Sequence, residues 1–187
     1  MADQGFAGQL PGAGLALPLV VGGIRLTEVD LGPCASVMPF HGQWAEVDRR
    51  LAEIDAGLAD IGRSQAARVW STWMGRNLWF IWGADPADLT ARLIGAAAVT
   101  EQTDGWVIFD LTGADAGGVL ARLTPLDLHP DIFPPGTSAR TDLAHMVASV
   151  TALGEGFRIM AMRSFAGTLA HDLEAAMRSV AGQRDIL

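Results

Sequence analysis

Histidine, cysteine and carboxylate side chains are the groups through which this chain of 187 residues could carry out metal, acid–base or nucleophilic chemistry. The chain has one cysteine and four histidines, and these are widely spaced: Cys34, His41, His129, His145 and His171. No pair among them has the His-x-x-x-His or Cys-x-x-Cys spacing of a local metal motif. We therefore predict no metal-binding residues.

Two carboxylates lie close to His129 in sequence. Asp127 precedes it by two residues and Asp131 follows it by two. In an extended loop alternate side chains share a side, so the three could converge. A hydrogen bond between a carboxylate and the imidazole, which stiffens the loop, is the commoner arrangement, because nothing in the sequence marks the supporting residues that orient metal ligands. We predict that His129 is not catalytic.

A second grouping, Ser138, Asp142 and His145, has the residue types of a hydrolytic triad. Side chains on one strand cannot converge as nucleophile, base and orienting group, and the chain has no G-x-S-x-G elbow. Cys34 also has no recognisable base as a partner in sequence. We predict that this chain contributes no catalytic residue.

Nucleotide-binding loops are missing from the sequence. All 13 basic residues are arginines, so a G-x-x-x-x-G-K-[ST] loop cannot occur, and no G-x-G-x-x-G lies between a strand and a helix. The formal net charge of −8 would repel nucleic acid. We expect no cofactor bound by this chain and no nucleic-acid partner.

The composition is apolar, with 50% hydrophobic and only 18% charged residues. No uninterrupted apolar run reaches the roughly 18 residues that a membrane span needs. The segment LALPLVV is short and broken by Pro18, which argues against a signal peptide. A lone cysteine fits a reducing compartment, so we expect a cytoplasmic protein without membrane association. Part of the apolar surplus is expected to face a partner.

Four of the six tryptophans fall within one short stretch, at Trp70, Trp73, Trp79 and Trp82. They could stack a flat ligand such as a pterin or a flavin. Aromatic side chains on strands more often fill a core or an interface. The sequence leaves both roles open.

The first half of the chain predicts strands separated by helices. Residues 19–31 and 34–40 are extended, and residues 43–61 have the three–four spacing of an amphipathic helix. Residues 68–82 indicate a hairpin, and Asp85-Pro86 is typical of a helix start.

The second half continues the alternation. Residues 96–100 and 106–111 are expected to pair across a turn, and a short helix follows near Asp115. Residues 140–162 indicate two strands joined by a Gly154–Gly156 turn. Ser164 is expected to cap a closing helix, whose buried face is Phe165, Leu169, Leu173 and Met177.

This order predicts an α+β fold with antiparallel sheets built from ferredoxin-like β-α-β-β units. We expect a flexible N-terminal segment, 1–18, followed by one α+β domain, 19–187. That domain could be built as two lobes, 19–101 and 102–187.

The segment between the short helix and the next strand, residues 125–136 (PLDLHPDIFPPG), is irregular but not polar. Its four prolines exclude a regular helix or a central strand. A flexible linker would not carry large apolar side chains, so the loop either covers its own core or contacts a partner. We predict a partner contact formed by Leu126, Leu128, His129, Ile132 and Phe133.

The run FDLTGADAGGVLARLTPLDLHPDIFPPGTSARTDLAH, followed by a strand and RSFAGTLAHDL, resembles the gamma subunit of heterotetrameric sarcosine oxidase. The resemblance covers about residues 104–175. Its most specific parts are PLDLHP, the F-P-P-G turn, R-T-x-L-A-H and the R-S-F-A helix start, in that order.

The resemblance implies a fold related to the folate-binding domain of aminomethyltransferases. It also implies a non-catalytic structural subunit within an oxidoreductase complex, which oxidatively demethylates sarcosine with tetrahydrofolate and oxygen. The partners would be alpha, beta and delta subunits, and these would carry FAD, FMN, NAD, zinc and tetrahydrofolate. The alternative is a free-standing folate- or pterin-binding protein of the aminomethyltransferase type.

Overall fold

The fold is described from a computed structural model, which covers residues 10–12, 14–66 and 68–184. The strands are β1 Leu19–Val21, β2 Ile24–Glu28, β3 Cys34–Pro39, β4 Ser64–Gln65, β5 Trp70–Gly75, β6 Leu78–Trp82, β7 Ala97–Glu101, β8 Trp106–Thr112, β9 Ser138–Leu143, β10 Met146–Ala152 and β11 Phe157–Met162. The α-helices are α1 Trp44–Ala52, α2 Pro86–Arg92, α3 Ala116–Leu120 and α4 Ala166–Arg184. Within these described ranges, no helix combines the length and the apolar character needed to cross a bilayer.

The strands form two sheets in which all neighbours are antiparallel. The first sheet has six strands in the order β1-β2-β8-β11-β10-β9. The second has five strands in the order β4-β5-β6-β3-β7. Antiparallel α+β architecture is therefore confirmed.

The two sheets share one topology. In the second sheet the chain runs β3-α1-β4-β5-β6-α2-β7, and the four longer strands have the order of a ferredoxin-like unit. In the first sheet β8, β9, β10 and β11 take the places of β3, β4, β5 and β6, and β2 from near the N-terminus takes the place of β7. The units are therefore not separated at residue 101, since the second unit also uses strands from residues 19–28.

The equivalent edges of the two units meet each other. Arg63 and Thr137 form an isolated antiparallel bridge. Beside it the Ser64 N–H donates to Gly136 O, and the Ser138 N–H donates to Gly62 O, both at 2.8 Å. The start of β4 is thus tied to the start of β9, its counterpart in the other sheet.

In the described part of the chain, three apolar cores separate four layers. One core lies between the first sheet and helices α3 and α4, and a second lies between the second sheet and helices α1 and α2. The third, the inter-sheet core, combines Cys34, Met74, Phe80 and Trp82 of the second sheet with Ile108 and Met160 of the first. Alternation along β11 shows the division: Phe157, Ile159 and Ala161 face the helices, while Met160 faces the other sheet.

Helix α1 is shorter than the predicted helix over 43–61. It ends at Ala52, and Asp55 adopts a left-handed φ of 54°. Beyond this point polar side chains, one from α1 and one from β5, accept hydrogen bonds from the backbone amides. The Leu58 N–H donates to Asp48 Oδ1 and the Ala59 N–H donates to Ser71 Oγ. These bonds hold an irregular segment whose apolar spacing continues the helical pattern.

The predicted hairpin between residues 96–100 and 106–111 is wrong. Strand β7 pairs with β3 in the second sheet, whereas β8 pairs with β2 and β11 in the first. The reason lies in burial. Val107 and Phe109 enter the core against the helices, and Ile108 enters the inter-sheet core. A strand buried on both faces is stable in a central position, with a neighbour on each side.

Residues 140–162 contain three strands, because a turn at Ala144 and His145 divides the first predicted strand. Both residues have left-handed φ values, 48° and 69°. Such a pair suits a two-residue hairpin, which sequences usually mark with Asn or Gly. The closing helix is confirmed, and Leu169, Leu173 and Met177 are buried, but Ser164 and Phe165 lie in a preceding 3-10 turn, Arg163–Phe165, and Phe165 is exposed rather than part of the buried face.

The expectation of a flexible segment over 1–18 falls partly outside the described residues, which begin at residue 10. Within the part that is described, Leu15 and Leu17 are half-buried and pack against the core of the first sheet. The Gly12 N–H donates to Glu28 Oε1 at 2.8 Å.

Candidate functional site

The loop 125–136 lies mainly over its own core. Phe133 is buried in the core of the first sheet, and Leu126 and Leu128 pack against the same core. Ile132 is 63% exposed, and the His129 side chain is also exposed. This corrects the expectation for Phe133, whose ring cannot contact a partner while it fills this core. Of the five predicted contact residues, Ile132 and His129 face outward.

His129 forms local hydrogen bonds with its two neighbouring carboxylate residues. Its N–H donates to Asp127 Oδ1 at 3.0 Å, and its Nδ1 accepts from the Asp131 N–H at 3.3 Å. The Asp131 carboxylate lies 3.6 Å from the same Nδ1. Across the described ranges, no three histidine, cysteine, aspartate or glutamate residues are grouped closely enough to hold a metal ion. The geometry is that of a stiffened turn.

Ser138, Asp142 and His145 are not joined into a triad. Ser138 is buried, and hydrogen bonds connect its Oγ to Ser149 Oγ at 3.4 Å and to Thr151 Oγ1 at 3.0 Å. His145 lies in the β9–β10 turn, beyond the far end of the strand. The serine hydroxyl is therefore committed to a buried hydroxyl cluster with no base.

Cys34 is fully buried in the inter-sheet core. Burial raises the pKa of its thiol well above the ordinary value of 9.0, because the thiolate would be desolvated there. A neutral, inaccessible thiol is a poor nucleophile.

The four clustered tryptophans do not form one stacking platform. Trp79 and Trp73 face the helices, and Trp79 Nε1 donates to Ala59 O at 2.8 Å. Trp70 and Trp82 lie on the opposite face of the same strands, in or against the inter-sheet core. These indoles therefore fill two separate cores.

A largely buried ion pair on the first sheet also contacts the second sheet, and it was not predicted from the sequence. Arg158 on β11 donates through Nε and Nη2 to the two carboxylate oxygens of Asp110 on β8, both at 2.8 Å. Its guanidinium carbon lies 4.3 Å from the ring centroid of Trp70 on β5. Both oxygens of Asp110 are occupied, so this group supplies neither a base nor a nucleophile. The sequence signal was available: Arg158 occupies an inward position of an otherwise apolar alternating strand.

The surface carries several open clefts. The largest described cleft has a volume of about 910 Å³, and both arginine and carboxylate side chains line it. Arg49 and Arg50 both bond to Glu46, and these bonds lower the pKa of its carboxyl to about 2. Arg92 bonds to Glu53. The positive charge of this cleft is therefore largely compensated.

A different cleft, of about 690 Å³, lies at one end of the second sheet and is lined by aromatic and aliphatic side chains. We call it the aromatic groove and define it by Phe40, Trp44, Ile61, Trp73 and Arg76. It was not found from the sequence because its residues come from three separate segments, 39–44, 61 and 73–77.

No protein-family model matches the chain, and no curated protein matches it. Among solved structures, a chain of heterotetrameric sarcosine oxidase from Corynebacterium sp. U-96, in complex with pyrrole 2-carboxylate, superposes with a TM-score of 0.81. The match covers 93% of this chain and 96% of that chain at 22% identity.

The glycine cleavage system aminomethyltransferase T from Bartonella henselae superposes with a TM-score of 0.57 at 21% identity. It covers 79% of this chain but only 44% of the aminomethyltransferase chain. At these identities the likeness concerns the backbone fold. The resemblance seen in the sequence is confirmed at that level: the chain has the fold of a sarcosine oxidase chain, related to that of aminomethyltransferases.

Proposed function

We propose that this chain is a structural subunit of a heterotetrameric sarcosine oxidase and has no active site of its own. The single observation that carries the proposal is the end-to-end match with a chain of such an enzyme, 93% of one and 96% of the other. A chain that matches a subunit over its whole length is expected to assemble as one.

The character of the candidate residues supports a non-catalytic role. Cys34 is buried and protonated, Ser138 is tied to other hydroxyls, and Asp110 is saturated by Arg158. In this proposal the gamma-type chain supports alpha, beta and delta subunits in the cytoplasm, and these carry FAD, FMN, NAD, zinc and tetrahydrofolate. The complex would oxidise sarcosine or a related N-methyl amine.

The alternative, a free-standing folate- or pterin-binding protein, has less support. The chain corresponds to less than half of the aminomethyltransferase that it resembles. Its tryptophans are distributed between two cores, which leaves no exposed platform among Trp70, Trp73, Trp79 and Trp82.

Co-purification tests the proposal. A tagged chain is expressed with alpha, beta and delta subunits from the same organism, and the bound fraction is assayed for flavin absorbance and sarcosine-dependent oxygen uptake. We expect all four chains in one complex, and self-association of the chain when it is expressed alone. A monomer that ignores the other three subunits would overturn the proposal. Micromolar binding of tetrahydrofolate by the isolated chain, measured by calorimetry, would favour the alternative.

A further inference from the structure

Three segments place large apolar side chains around the aromatic groove. Phe40 follows β3 and is 46% exposed, Trp44 begins α1 and is 42% exposed, and Ile61 precedes β4 and is 72% exposed. Trp73 of β5 contributes a half-buried indole. Single exposed apolar residues are ordinary, but several converging on one concave surface are typical of a binding site.

The walls of the groove are held in place by the protein itself. Trp44 Nε1 donates to Asn77 Oδ1 at 2.9 Å, and Asn77 Nδ2 donates to Pro39 O at 2.8 Å. The Trp44 ring also meets the buried Trp79 ring edge-on, with centroids 4.5 Å apart. Because these groups are ordered before any partner arrives, binding would lose little conformational entropy.

The charge of the groove is opposite to that of the chain. Among the residues that the structure describes, its ionisable lining residues are His41 and Arg76 and no carboxylate lines it, although the chain has 21 acidic and 13 basic residues. Each of the other described clefts includes at least one aspartate or glutamate. Within the described ranges no hydrogen-bond or ion-pair partner is found for the Arg76 guanidinium, in contrast to Arg49, Arg50 and Arg92 in the largest cleft.

We propose that the aromatic groove docks an extended segment of a partner subunit that carries an apolar side chain next to a carboxylate. The apolar side chain would pack against Phe40, Trp44 and Ile61, and the carboxylate would pair with Arg76. This inference rests on the proposed function, which supplies the partner subunits. Tryptophan and arginine are the residues that most often dominate interface energies, and both lie here around an apolar centre.

The test compares groove variants with matched variants elsewhere, in the co-expressed complex. The groove variants are Ile61→Asp and Arg76→Glu. The controls are Ile94→Asp, at an equally exposed isoleucine outside the groove, and Arg25→Glu, at an exposed arginine of the first sheet. Thermal melting of each isolated chain checks that the fold is kept. We expect each groove variant to weaken assembly by about tenfold or more, as loss of a central interface residue does, and the controls to leave it within about twofold.

Salt dependence provides a second readout. Affinity of the wild-type chain for the other subunits is expected to fall as salt is raised, and Arg76→Gln should flatten that dependence, because the paired charge is gone. The outcomes separate the two proposals. If the wild-type chain does not assemble, the proposed function fails. If it assembles and the groove variants behave as the controls do, the groove inference alone is overturned. Loss of self-association without loss of assembly would also overturn it, because the occupant would then be a second copy of this chain.

Discussion

The ion pair between Arg158 and Asp110 is the single-residue feature with the largest expected effect on stability. The side chains are 9% and 19% exposed. Removing one partner leaves a buried charge, so Asp110→Ala is expected to lower the free energy of unfolding by about 3–5 kcal/mol. Replacing both, as in Asp110→Leu with Arg158→Met, is expected to be far less harmful, since an apolar pair needs no desolvation of charge. Urea unfolding of the wild-type chain and of these two variants measures this. Equal losses in the single and double variants would contradict the account.

The buried thiol of Cys34 is expected to make the stability of the protein depend on pH in the alkaline range. Burial raises the pKa of the thiol above its ordinary value of 9.0, so the unfolded state loses this proton at lower pH than the folded state does. The contribution of the neutral thiol to the free energy of unfolding is therefore fully present below about pH 9. It is lost as the pH rises above that value. Unfolding midpoints of the wild-type chain and Cys34→Ala, measured from pH 7 to 10.5, should converge at the alkaline end. Parallel profiles would show that the thiol is not desolvated.

The loop over residues 125–136 allows a matched pair of substitutions. Phe133→Asp puts a carboxylate into the core of the first sheet and is expected to unfold or strongly destabilise the chain, since even truncation of a buried phenylalanine costs about 3–5 kcal/mol. Ile132→Asp changes an exposed neighbour and should leave the melting temperature nearly unchanged. Any effect of Ile132→Asp on assembly then reports the partner contact predicted for this loop. A folded, monomeric Phe133→Asp variant would place the ring outside the core.

The β10–β11 turn offers a similar comparison between two glycines. Gly156 has a φ of 93°, and a Cβ there would collide with the carbonyl oxygen of Leu111 on β8. Gly154 lies two residues away with open space at the Cβ position. We expect Gly156→Ala to destabilise by more than about 1 kcal/mol and Gly154→Ala to have a small effect, as thermal melting would show. Indistinguishable melting temperatures would mean that β8 lies farther from the turn.

Elements with strong local signals could be predicted from the sequence. Helix α2 begins where Asp85 accepts a hydrogen bond from the Ala87 N–H at 2.7 Å, and the β5–β6 hairpin turns where Asn77 has a left-handed φ. Pairing across long separations could not be predicted. Strands β7 and β8 are neighbours in sequence but belong to different sheets, because the burial of β8 on both faces is visible only once the sheets are assembled.

The candidate site shows the same limit. The sequence predicted no catalytic role for Cys34 or Ser138, because neither has a recognisable base as a partner, and in the structure Cys34 is buried and the Ser138 hydroxyl bonds to other hydroxyls. Phe133 was predicted to contact a partner, because the sequence alone does not show whether an apolar loop residue faces the core or the solvent. The aromatic groove could not be predicted from the sequence, because Phe40, Ile61 and Arg76 are brought together only by the fold.

The described residues form two ferredoxin-like units, one of which takes its last strand from residues 24–28, before the strands of the other unit. Helix α4 packs beside β1, and a side chain at Gly22 would meet Ala181. We therefore expect a circular permutant, in which residues 10–31 follow α4 through a flexible linker, to fold with the same circular dichroism spectrum and a similar melting temperature. The matched control deletes residues 10–31, which removes Ile24 and Leu26 from the core. A permutant as unstable as the deletion would contradict this topology.

The pairing of β2 with β8 also determines the order in which the two sheets can form during synthesis on the ribosome. The second sheet is contiguous from β3 to β7, so it can form while the later residues are still being made. The β1–β2 hairpin emerges earlier but has no sheet to join until β8 appears, and an isolated hairpin is marginally stable at best. Its apolar face, which includes Ile24 and Leu26, therefore remains exposed to solvent while the following strands and helices emerge. In the nascent chain this hairpin is where a chaperone would be expected to bind first.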